Sequence, residues 1–533
     1  MDQHDAQATV SAMMRGSRIL AALPPSNKER TQSIIDFLEA AKARWEVTVD
    51  IVCPKTDRQG FERLAAPAGR FFFVPHVLAT QAWEFDPDQV AATERRIREA
   101  EHVARLPMGM LILGAAHGIG RAFSAPVRRL RRYTLVRRVL KDNTEPFRIM
   151  RRLFHFADEA LAASNPELVC AFEYVTALNA AVWLAATQRG IPCVALRYSK
   201  LQSGRAFWSI DRKMRNAPAL DIAAAKQEAL GPVSDAARAQ IKGFRERPAP
   251  VQYIASRWQY RAERGFLKWH WQYARAMLHE ARGRSKDQDL ALREQFGSRP
   301  FLYYRSLLMT ERHRRFLNTF DEGTLADMRY VYFAMHKEAE LAQTVQATQW
   351  YEQRQTIRVL ASLLPFGYRL LIREHRMNYG HRPTRIYRQL SNIPNVVLIN
   401  PFDSQFKYLR HADLVVTENG TSGWEGLLLG RRVLLLADTF YDGTGAGART
   451  TDPDLLNAAI LAALAKPAVD DHDTHEQSLA RMIDAELETT FPFDPDGAEA
   501  SIDRLALTLA PVLRPSSPPM PAGVVPRPPC PAS

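Results

Sequence analysis

The sequence lacks an apolar run long enough to cross a bilayer: its best candidate, residues 177–186, is short and contains Asn179. The N-terminus has no apolar core of the kind found in secretory signal peptides. Only four cysteines occur among the 533 residues, and no two of them form a CxxC pair. These absences argue against a zinc site or a disulfide framework, and we expect a cytoplasmic protein, soluble or peripheral to the membrane.

Acidic residues are scarce relative to basic ones. Lys and Arg number 71 against 58 Asp and Glu, which gives a formal charge of +13 and an isoelectric point near 9.6. Such a balance favours polyanionic partners, among them nucleic acid, acidic lipid, nucleotides and acidic glycans. The 46% hydrophobic content and the length predict an ordinary globular protein of two large domains or three smaller ones.

The N-terminal half has the pattern of an α/β domain. Four apolar segments have the length and composition of buried strands, and they lie at residues 18–23, 47–53, 168–172 and 190–197. Amphipathic helical segments separate the strands within each pair, and a helical, Arg-rich insertion is expected at about residues 89–141. We therefore predict a Rossmann-like domain over residues 1–220.

A second α/β domain is predicted over residues 301–470, after a polar helical connection at residues 221–300. Its predicted strands are residues 330–335, 368–373, 396–399, 414–417 and 433–436. Continuous apolar strands that alternate with helices indicate a doubly wound parallel sheet covered on both faces. Helices are expected within residues 471–514, and residues 515–533, with 8 Pro among 19, should form a disordered tail.

Ligands of open parallel sheets bind at the carboxyl ends of the strands. The sharpest candidate there is the segment VVTENGTSGWEGLLLG, residues 415–430, in which a strand runs into a loop and then a helix beginning near Gly423. Free backbone N–H groups and the hydroxyls of Thr421 and Ser422 would bind an anion, and Glu425 could accept a hydrogen bond from a sugar hydroxyl. The other interpretation is a plain Ser/Thr helix cap.

A second candidate is LLIREHRMNYGHRP, residues 370–383, which places Glu374 and His375 just past a buried strand. An imidazole at this position can hydrogen-bond a nucleotide or a phosphate oxygen, and Arg376 and Arg382 add positive charge. A single histidine here is more often structural. Its combination with the Thr421 loop favours a functional role.

Residues 121–138 contain seven Arg and no acidic residue. This segment is either a solvated basic helix or an amphipathic surface for anionic lipid or an acidic acceptor glycan. No nucleic-acid-binding motif accompanies the charge, so nucleic acid is not expected as a partner. Residues 112–122 look like the dinucleotide loop of short-chain dehydrogenases, but no strand precedes them and the chain has no YxxxK pair, so nicotinamide binding is not expected.

The order of several segments resembles the bacterial capsular polysaccharide biosynthesis family, which includes transferases of 3-deoxy-D-manno-octulosonic acid (Kdo). The segments are YVYFAMHKEAELA, LLPFGYRLLIREHR, IPNVVLINPFDS and ADLVVTENGTSGWEGLLLGRRVLLLADTFY, within residues 330–441. The resemblance implies a GT-B glycosyltransferase, with two Rossmann-like domains facing a cleft and the donor held by the C-terminal one. Two positions depart from the family pattern, because Arg376 and Ala339 stand where the family usually has Pro.

The resemblance implies a metal-independent transfer of a sugar, with CMP-Kdo as the expected donor, onto a surface glycan or a lipid-linked acceptor. No cofactor beyond the nucleotide-sugar is implied, and capsule assembly proteins and the anionic inner face of the cell membrane are the expected partners. His375 is assigned a catalytic role. The predicted donor- and phosphate-binding residues are His336, Glu338, Glu374, Gly420, Thr421, Ser422 and Glu425.

Glu173, at the carboxyl end of an N-domain strand, is the candidate catalytic base. Its other possible role is a helix cap or a salt bridge. The alternative function is a non-catalytic capsule assembly or glycan-binding protein that retains the GT-B architecture, which the departures at Arg376 and Ala339 favour.

Overall fold

The computed structural model describes most of the chain, namely residues 3–23, 28–53, 55–74, 86–114, 144–172, 176–211, 213–250, 312–336, 345–376, 378–379, 382–465, 472–493 and 497–513. Several predicted features lie outside the described residues: Glu173, Glu338, Ala339, the Arg-rich residues 121–138, most of the connection at 221–300 and the tail at 515–533.

Thirteen strands occur in the described part of the chain and form two sheets. They are β1 (Arg18–Ala22), β2 (Thr48–Cys53), β3 (Phe71–Phe73), β4 (Leu168–Phe172), β5 (Cys193–Tyr198), β6 (Arg205–Ser209), β7 (Tyr330–Ala334), β8 (Arg369–Arg373), β9 (Val396–Ile399), β10 (Leu414–Thr417), β11 (Val433–Leu435), β12 (Ala448–Arg449) and β13 (Phe491–Pro492).

The described helices flank these strands. They are α1 (Gln3–Met14), α2 (Lys28–Trp45), α3 (Glu62–Ala65), α4 (Pro87–Ala104), α5 (Met108–Gly114), α6 (Glu145–Ser164), α7 (Ala177–Gln188), α8 (Ala217–Glu228), α9 (Asp235–Glu246), α10 (Glu322–Asp327), α11 (Gln353–Leu363), α12 (Thr384–Ser391), α13 (Gln405–His411), α14 (Thr421–Leu428), α15 (Leu456–Ala465), α16 (His472–Thr489) and α17 (Ala498–Leu513). Side-chain caps set several of their starts: Asp86, Thr176 and Ser234 each accept a hydrogen bond from a backbone N–H in the first turn.

The first sheet has the strand order β3-β2-β1-β4-β5, all parallel, and is extended by β6, which pairs antiparallel with β5, and by β13, which pairs antiparallel with β6. The order 3-2-1-4-5 is that of a Rossmann domain. One face packs on an apolar cluster that includes Ile97, Phe154 and Trp183, and the opposite face packs on a cluster that includes Phe37 and Trp208. Helices cover both faces, which is why its central strands are continuously apolar.

The second sheet has the order β9-β8-β7-β10-β11-β12 with every pair parallel. Relative to the first strand of this domain the order is 3-2-1-4-5-6, again that of a Rossmann domain. The strands β9 and β10 have their predicted bounds, and β7, β8 and β11 differ from prediction by one residue at one end. The predicted fold class, two Rossmann-like α/β domains with doubly wound parallel sheets, is confirmed.

The C-terminal segment returns to the first domain. Strand β13 pairs with β6, and α17 packs against α1 and α2. The indole Nε1 of Trp208 donates to the carbonyl of Ser501 at 3.0 Å, which fixes α17 on the sheet. The sequence places residues 471–514 in a segment of their own, whereas the structure makes α17 part of the first domain's core. The sequence shows that this helix has an apolar face, but it does not show which surface that face covers.

Two further features concern membrane-spanning helices and the contact between the two domains. No described helix combines the length and the apolar character that a membrane span requires. The carboxyl ends of the second sheet face the segment of the first domain between β5 and α8, through the ion pairs described below.

Candidate functional site

The strand order of the second sheet changes direction between β7 and β10, and ligands bind at such a switch point. Strand β7 is followed by His336, and β10 is followed by Glu418 and Gly420. A Cβ atom built on Gly420 would lie 3.4 Å from Cε1 and 3.5 Å from Nε2 of His336. The structure therefore brings together two predicted donor-site residues, His336 and Gly420, that are far apart in the sequence.

Helix α14 begins at the switch point. Gly420 is its N-cap residue and provides no side chain to cap the first turn, while its own N–H donates to Oγ1 of Thr417 at 3.0 Å. Thr421 is half-buried and Ser422 is buried, and Ser422 Oγ has no hydrogen-bond partner among the described atoms. Because Thr421 and Ser422 lie inside the first turn, neither is the plain N-cap of the alternative interpretation. The uncapped N–H groups and a buried hydroxyl form a site suited to an anion.

Two glycines let α14 lie directly on the sheet. A Cβ on Gly423 would collide with the hydroxyl of Tyr441 and would lie 2.7 Å from Cγ2 of Thr417. A Cβ on Gly426 would lie 3.2 Å from Cγ2 of Val415. The close approach of helix to sheet holds the start of α14 at the carboxyl edge, beside His336.

The backbone of His336 is fixed on both sides. Its N–H donates to Oε1 of Gln353 at 2.6 Å, and its carbonyl accepts from Nε2 of Gln353 and from Arg382, each at 3.1 Å. Its Nε2 lies 3.8 Å from Oε2 of Glu418, whose side chain is fully buried. The sequence places Glu418 directly after β10, at the same sheet edge as His336, but it gave Glu418 no role in the site. That the two side chains meet depends on the strand order of the folded sheet.

Glu374 points into the domain. Its carboxylate pairs with Nε of Arg382 at 2.6 Å, and both side chains are 1% exposed. It also accepts from Oη of Tyr387 at 3.0 Å and from the N–H of His375 at 2.7 Å. These partners give Glu374 and Arg382 a structural role, while the predicted contact of Glu374 with a donor stays a prediction.

Glu425 is likewise buried beneath α14. It accepts from Nε2 of Gln405 at 2.7 Å, and burial raises its pKa to about 8 although the nearby Arg373 opposes the rise. Burial therefore favours the protonated form of Glu425 in the folded protein. The predicted hydrogen bond from a sugar hydroxyl to this side chain stays a prediction.

His375 begins a turn after β8 and is half-buried, and its carbonyl accepts from the N–H groups of Asn378 and Tyr379 at 2.8 and 3.2 Å. Arg376, which stands where the resembled family has Pro, donates from Nε to the carbonyl of Pro401 at 2.7 Å. Burial lowers the pKa of Arg376. Its guanidinium ties the loop after β8 to the loop after β9. Strand β7 lies between β8 and β10, so His375 reaches the crevice one strand away from His336.

A cleft between the two domains adjoins the Gly420 loop. Its lining residues include Arg197, Lys200, Asn216, Asn419, Phe440 and Glu486. Across it Lys213 pairs with Asp438, and Arg215 pairs with Asp442 at 3.2 Å. The amide of Asn419 donates to Oε1 of Gln346 at 3.0 Å, and Gln346 in turn donates to the carbonyl of Lys213. A chain of hydrogen bonds thus joins the first domain to the residue that precedes Gly420.

Sequence reasoning did not identify Lys213, Arg215 or Glu486. Lys213 and Asp438 are 225 positions apart, so no local pattern announces their pairing. Glu486, on α16, accepts from Oγ of Ser199 at 2.6 Å and from the amide of Asn216 at 2.9 Å, and burial raises its pKa to about 7. It holds two segments of the first domain at the edge of the cleft.

No protein-family model matches the chain, and no curated protein matches it. Similar solved structures include the UDP-GlcNAc 2-epimerase of Neisseria meningitidis bound to UDP-GlcNAc, which is 11% identical over 93% of this chain and 100% of that one, with a TM-score of 0.23. CalG4, the calicheamicin glycosyltransferase, is 13% identical over 94% of this chain and 100% of its own, with a TM-score of 0.24. The beta Kdo 2,7 transferase KpsC of Thermosulfurimonas dismutans is 11% identical over 67% of this chain and 90% of its own, with a TM-score of 0.29. Because these scores are low, the fold assignment rests on the strand orders of the two sheets.

Proposed function

We propose that this protein is a glycosyltransferase that moves a sugar from a nucleotide donor, with CMP-Kdo as the expected donor, onto a surface glycan or a lipid-linked acceptor. The observation that carries the proposal is the start of α14 at the switch point. There the N-terminus of α14 has no side-chain cap, the buried Oγ of Ser422 has no hydrogen-bond partner among the described atoms, and the N-cap Gly420 lies beside His336. This arrangement suits the phosphate of a nucleotide.

The same groups would assist the chemistry. When the bond between the anomeric carbon and the phosphate oxygen breaks, negative charge grows on the phosphate. Fixed donors that already point at that position stabilise the growing charge most where water is excluded. We assign this role to the first-turn N–H groups of α14, the hydroxyls of Thr421 and Ser422, and the imidazole of His375.

The acceptor would enter from the side of the first domain. The cleft beside Asn419 is lined on that side by Arg197 and Lys200, so an acidic glycan or a lipid-linked phosphate fits its charge. Glu173 directly follows the last residue of β4 and stays the proposed base for the acceptor hydroxyl. Attachment of residues 121–138 to the anionic inner membrane face, and contact with capsule assembly proteins, belong to the same proposal.

The test is a donor panel. Purified protein is incubated with CMP-, UDP- and GDP-sugars, and nucleotide release and sugar transfer are measured with and without a glycan acceptor. A Ser391→Ala variant serves as control, because Ser391 ends α12 at the opposite, amino edge of the sheet. We expect the protein to release the nucleotide from a CMP-sugar. We expect the Ser391→Ala control to do so as well. Nucleotide binding without turnover would favour the non-catalytic glycan-binding function, and the absence of any nucleotide binding would contradict the proposal.

A further inference from the structure

Two titratable side chains meet at the switch point from neighbouring strands. His336 follows β7 and Glu418 follows β10, and Nε2 of the imidazole lies 3.8 Å from Oε2 of the carboxylate. The His336 side chain is 12% exposed and that of Glu418 is fully buried. The imidazole is therefore mostly buried, and a fully buried carboxylate lies beside its Nε2.

The imidazole is held in position. The side chain of Gln353 bonds both the N–H and the carbonyl of His336, and the start of α14 lies so near that a Cβ on Gly420 would be 3.4 Å from Cε1 of the ring. Within the described chain, charged groups reach His336 from other elements. Glu418 faces it from the end of β10, and Arg382 contacts its carbonyl from the loop before α12. Arg382 is itself paired with Glu374, and both of these side chains are buried.

We infer that His336 is the catalytic acid of the proposed transfer and that Glu418 is the positioning residue that keeps its imidazole charged and oriented. The inference rests on the proposed function and adds the proton path at the leaving group. The acceptor oxygen bonds to the anomeric carbon as the bond from that carbon to the phosphate oxygen breaks, with its electron pair left on the phosphate. The imidazolium of His336 gives its proton to that oxygen. The acceptor hydroxyl loses its proton to the proposed base of the first domain, and His336 is reprotonated from solvent.

His336 suits this step better than His375. A Cβ on Gly420, the N-cap residue of α14, would contact the ring of His336, whereas His375 follows β8 and is separated from β10 by β7. A carboxylate beside an imidazole favours its protonated form, because the charged ring gains an opposite charge at short range. The protonated ring carries the proton that a general acid must supply.

The experiment compares pH profiles of turnover for the parent and for His336→Gln, Glu418→Gln and Glu418→Asp. We expect His336→Gln to lower kcat by about 100-fold or more and to remove the alkaline limb of the profile. Glu418→Gln should move that limb to lower pH by about one unit, since the imidazolium loses its partner charge. Glu418→Asp keeps the charge and should keep the limb near that of the parent. The control is His411→Gln, because His411 precedes β10 at the amino edge of the sheet.

A second measurement separates this inference from the proposed function. The Cε1–H resonance of His336, assigned by its loss in His336→Gln, is titrated by NMR in protein without nucleotide and again with CMP. If the His336 resonance titrates with the same midpoint in the parent and in Glu418→Gln, the two side chains do not form a pair and the inference is overturned. Parent-like turnover by His336→Gln would also overturn it and leave the proposed function standing. A parent that releases nucleotide from none of the sugars refutes the proposed function itself, whatever the titration shows.

Discussion

The hydroxyl of Tyr441 fills the space that a β-carbon on Gly423 would need, and it donates to the carbonyl of Gly420 at 3.4 Å. Tyr441 is fully buried and its ring packs on Trp424, with ring centroids 5.7 Å apart. One tyrosine thus sets both the depth at which α14 lies on the sheet and the position of its N-cap. The geometry of the candidate anion site depends on this contact.

Gly423→Ala should therefore disturb the site by moving α14. The added methyl group meets Tyr441 and Thr417, both of which are buried, so we expect a loss of about 1–3 kcal/mol in the free energy of unfolding. The loss should appear in urea denaturation, together with weaker CMP binding by calorimetry. The matched control is Gly243→Ala in α9, where a Cβ meets nothing within 4 Å and a helical alanine should stabilise by roughly 0.5–1 kcal/mol. Equal stability of parent and Gly423→Ala would contradict this packing argument.

A second prediction concerns the hydroxyls of the first turn. Changing Thr421 and Ser422 together to Ala removes two donors from the proposed phosphate site without removing any side-chain cap from α14. Two lost hydrogen bonds to a charged group cost about 3 kcal/mol or more, so CMP affinity should fall on the order of a hundredfold. The melting temperature without ligand should stay nearly unchanged. Calorimetry with CMP measures the affinity, and unaltered binding would refute the assignment.

A third prediction tests the role of Glu374. Glu374→Gln leaves the guanidinium of Arg382 buried without its carboxylate, and breaking such a pair costs about 3–5 kcal/mol. We expect urea denaturation to show a loss of that size. The double variant Glu374→Gln with Arg382→Met should recover part of the stability, because it removes the unpaired charge. A Glu374→Gln protein of parental stability that no longer binds CMP would instead support the donor contact that the sequence predicts.

The strands of this fold were predictable because central strands of a parallel sheet are buried on both faces. Strand β10 consists of apolar residues up to Thr417 and had its predicted bounds, as did β9. Strand β6 was not predicted from the sequence. It is an antiparallel strand that begins with Arg205 and ends with Ser209, and in the described sheet it lies between β5 and β13. It pairs with β5 at four positions and with β13, almost three hundred residues later, at two.

The candidate site was predictable in part for the same reason. Strand ends are readable, so His336, His375 and the Thr421 loop could be placed at one edge of a sheet. The sequence did not show in which direction each side chain at that edge points. Helix α14 begins at Thr421, two residues before the expected start, and Glu425 therefore lies a full turn inside the helix, where it is buried against Gln405. The pairing of His336 with Glu418 requires the strand order, which only the folded sheet supplies.

A fourth prediction concerns His375. If its imidazole donates to the departing phosphate, His375→Ala should lower turnover by roughly 100-fold or more, with a smaller effect on acceptor affinity. His375→Gln keeps a donor and should retain more activity than His375→Ala. Steady-state kinetics with the active donor sugar measure both variants. The control Arg376→Lys tests the neighbouring loop, because it loses the bond from Nε to the carbonyl of Pro401 without touching His375. Parental rates in both His375 variants would show that His375 is structural.

A fifth prediction follows from the raised pKa of Glu425. Its pKa is about 8 in the folded protein against 4.5 for an ordinary glutamate, so the folded state holds a proton that the unfolded state releases between these values. The contribution of Glu425 to stability is therefore complete below about pH 4.5 and is lost as the pH rises to about 8, by up to about 1.4 kcal/mol per pH unit. Glu425→Gln keeps the shape of the protonated side chain and cannot ionise. Its free energy of unfolding should thus fall less than that of the parent between about pH 5 and about pH 8, as measured by urea denaturation at several pH values. Parallel curves for parent and variant would mean that Glu425 is ionised in the folded protein, with Arg373 as its partner.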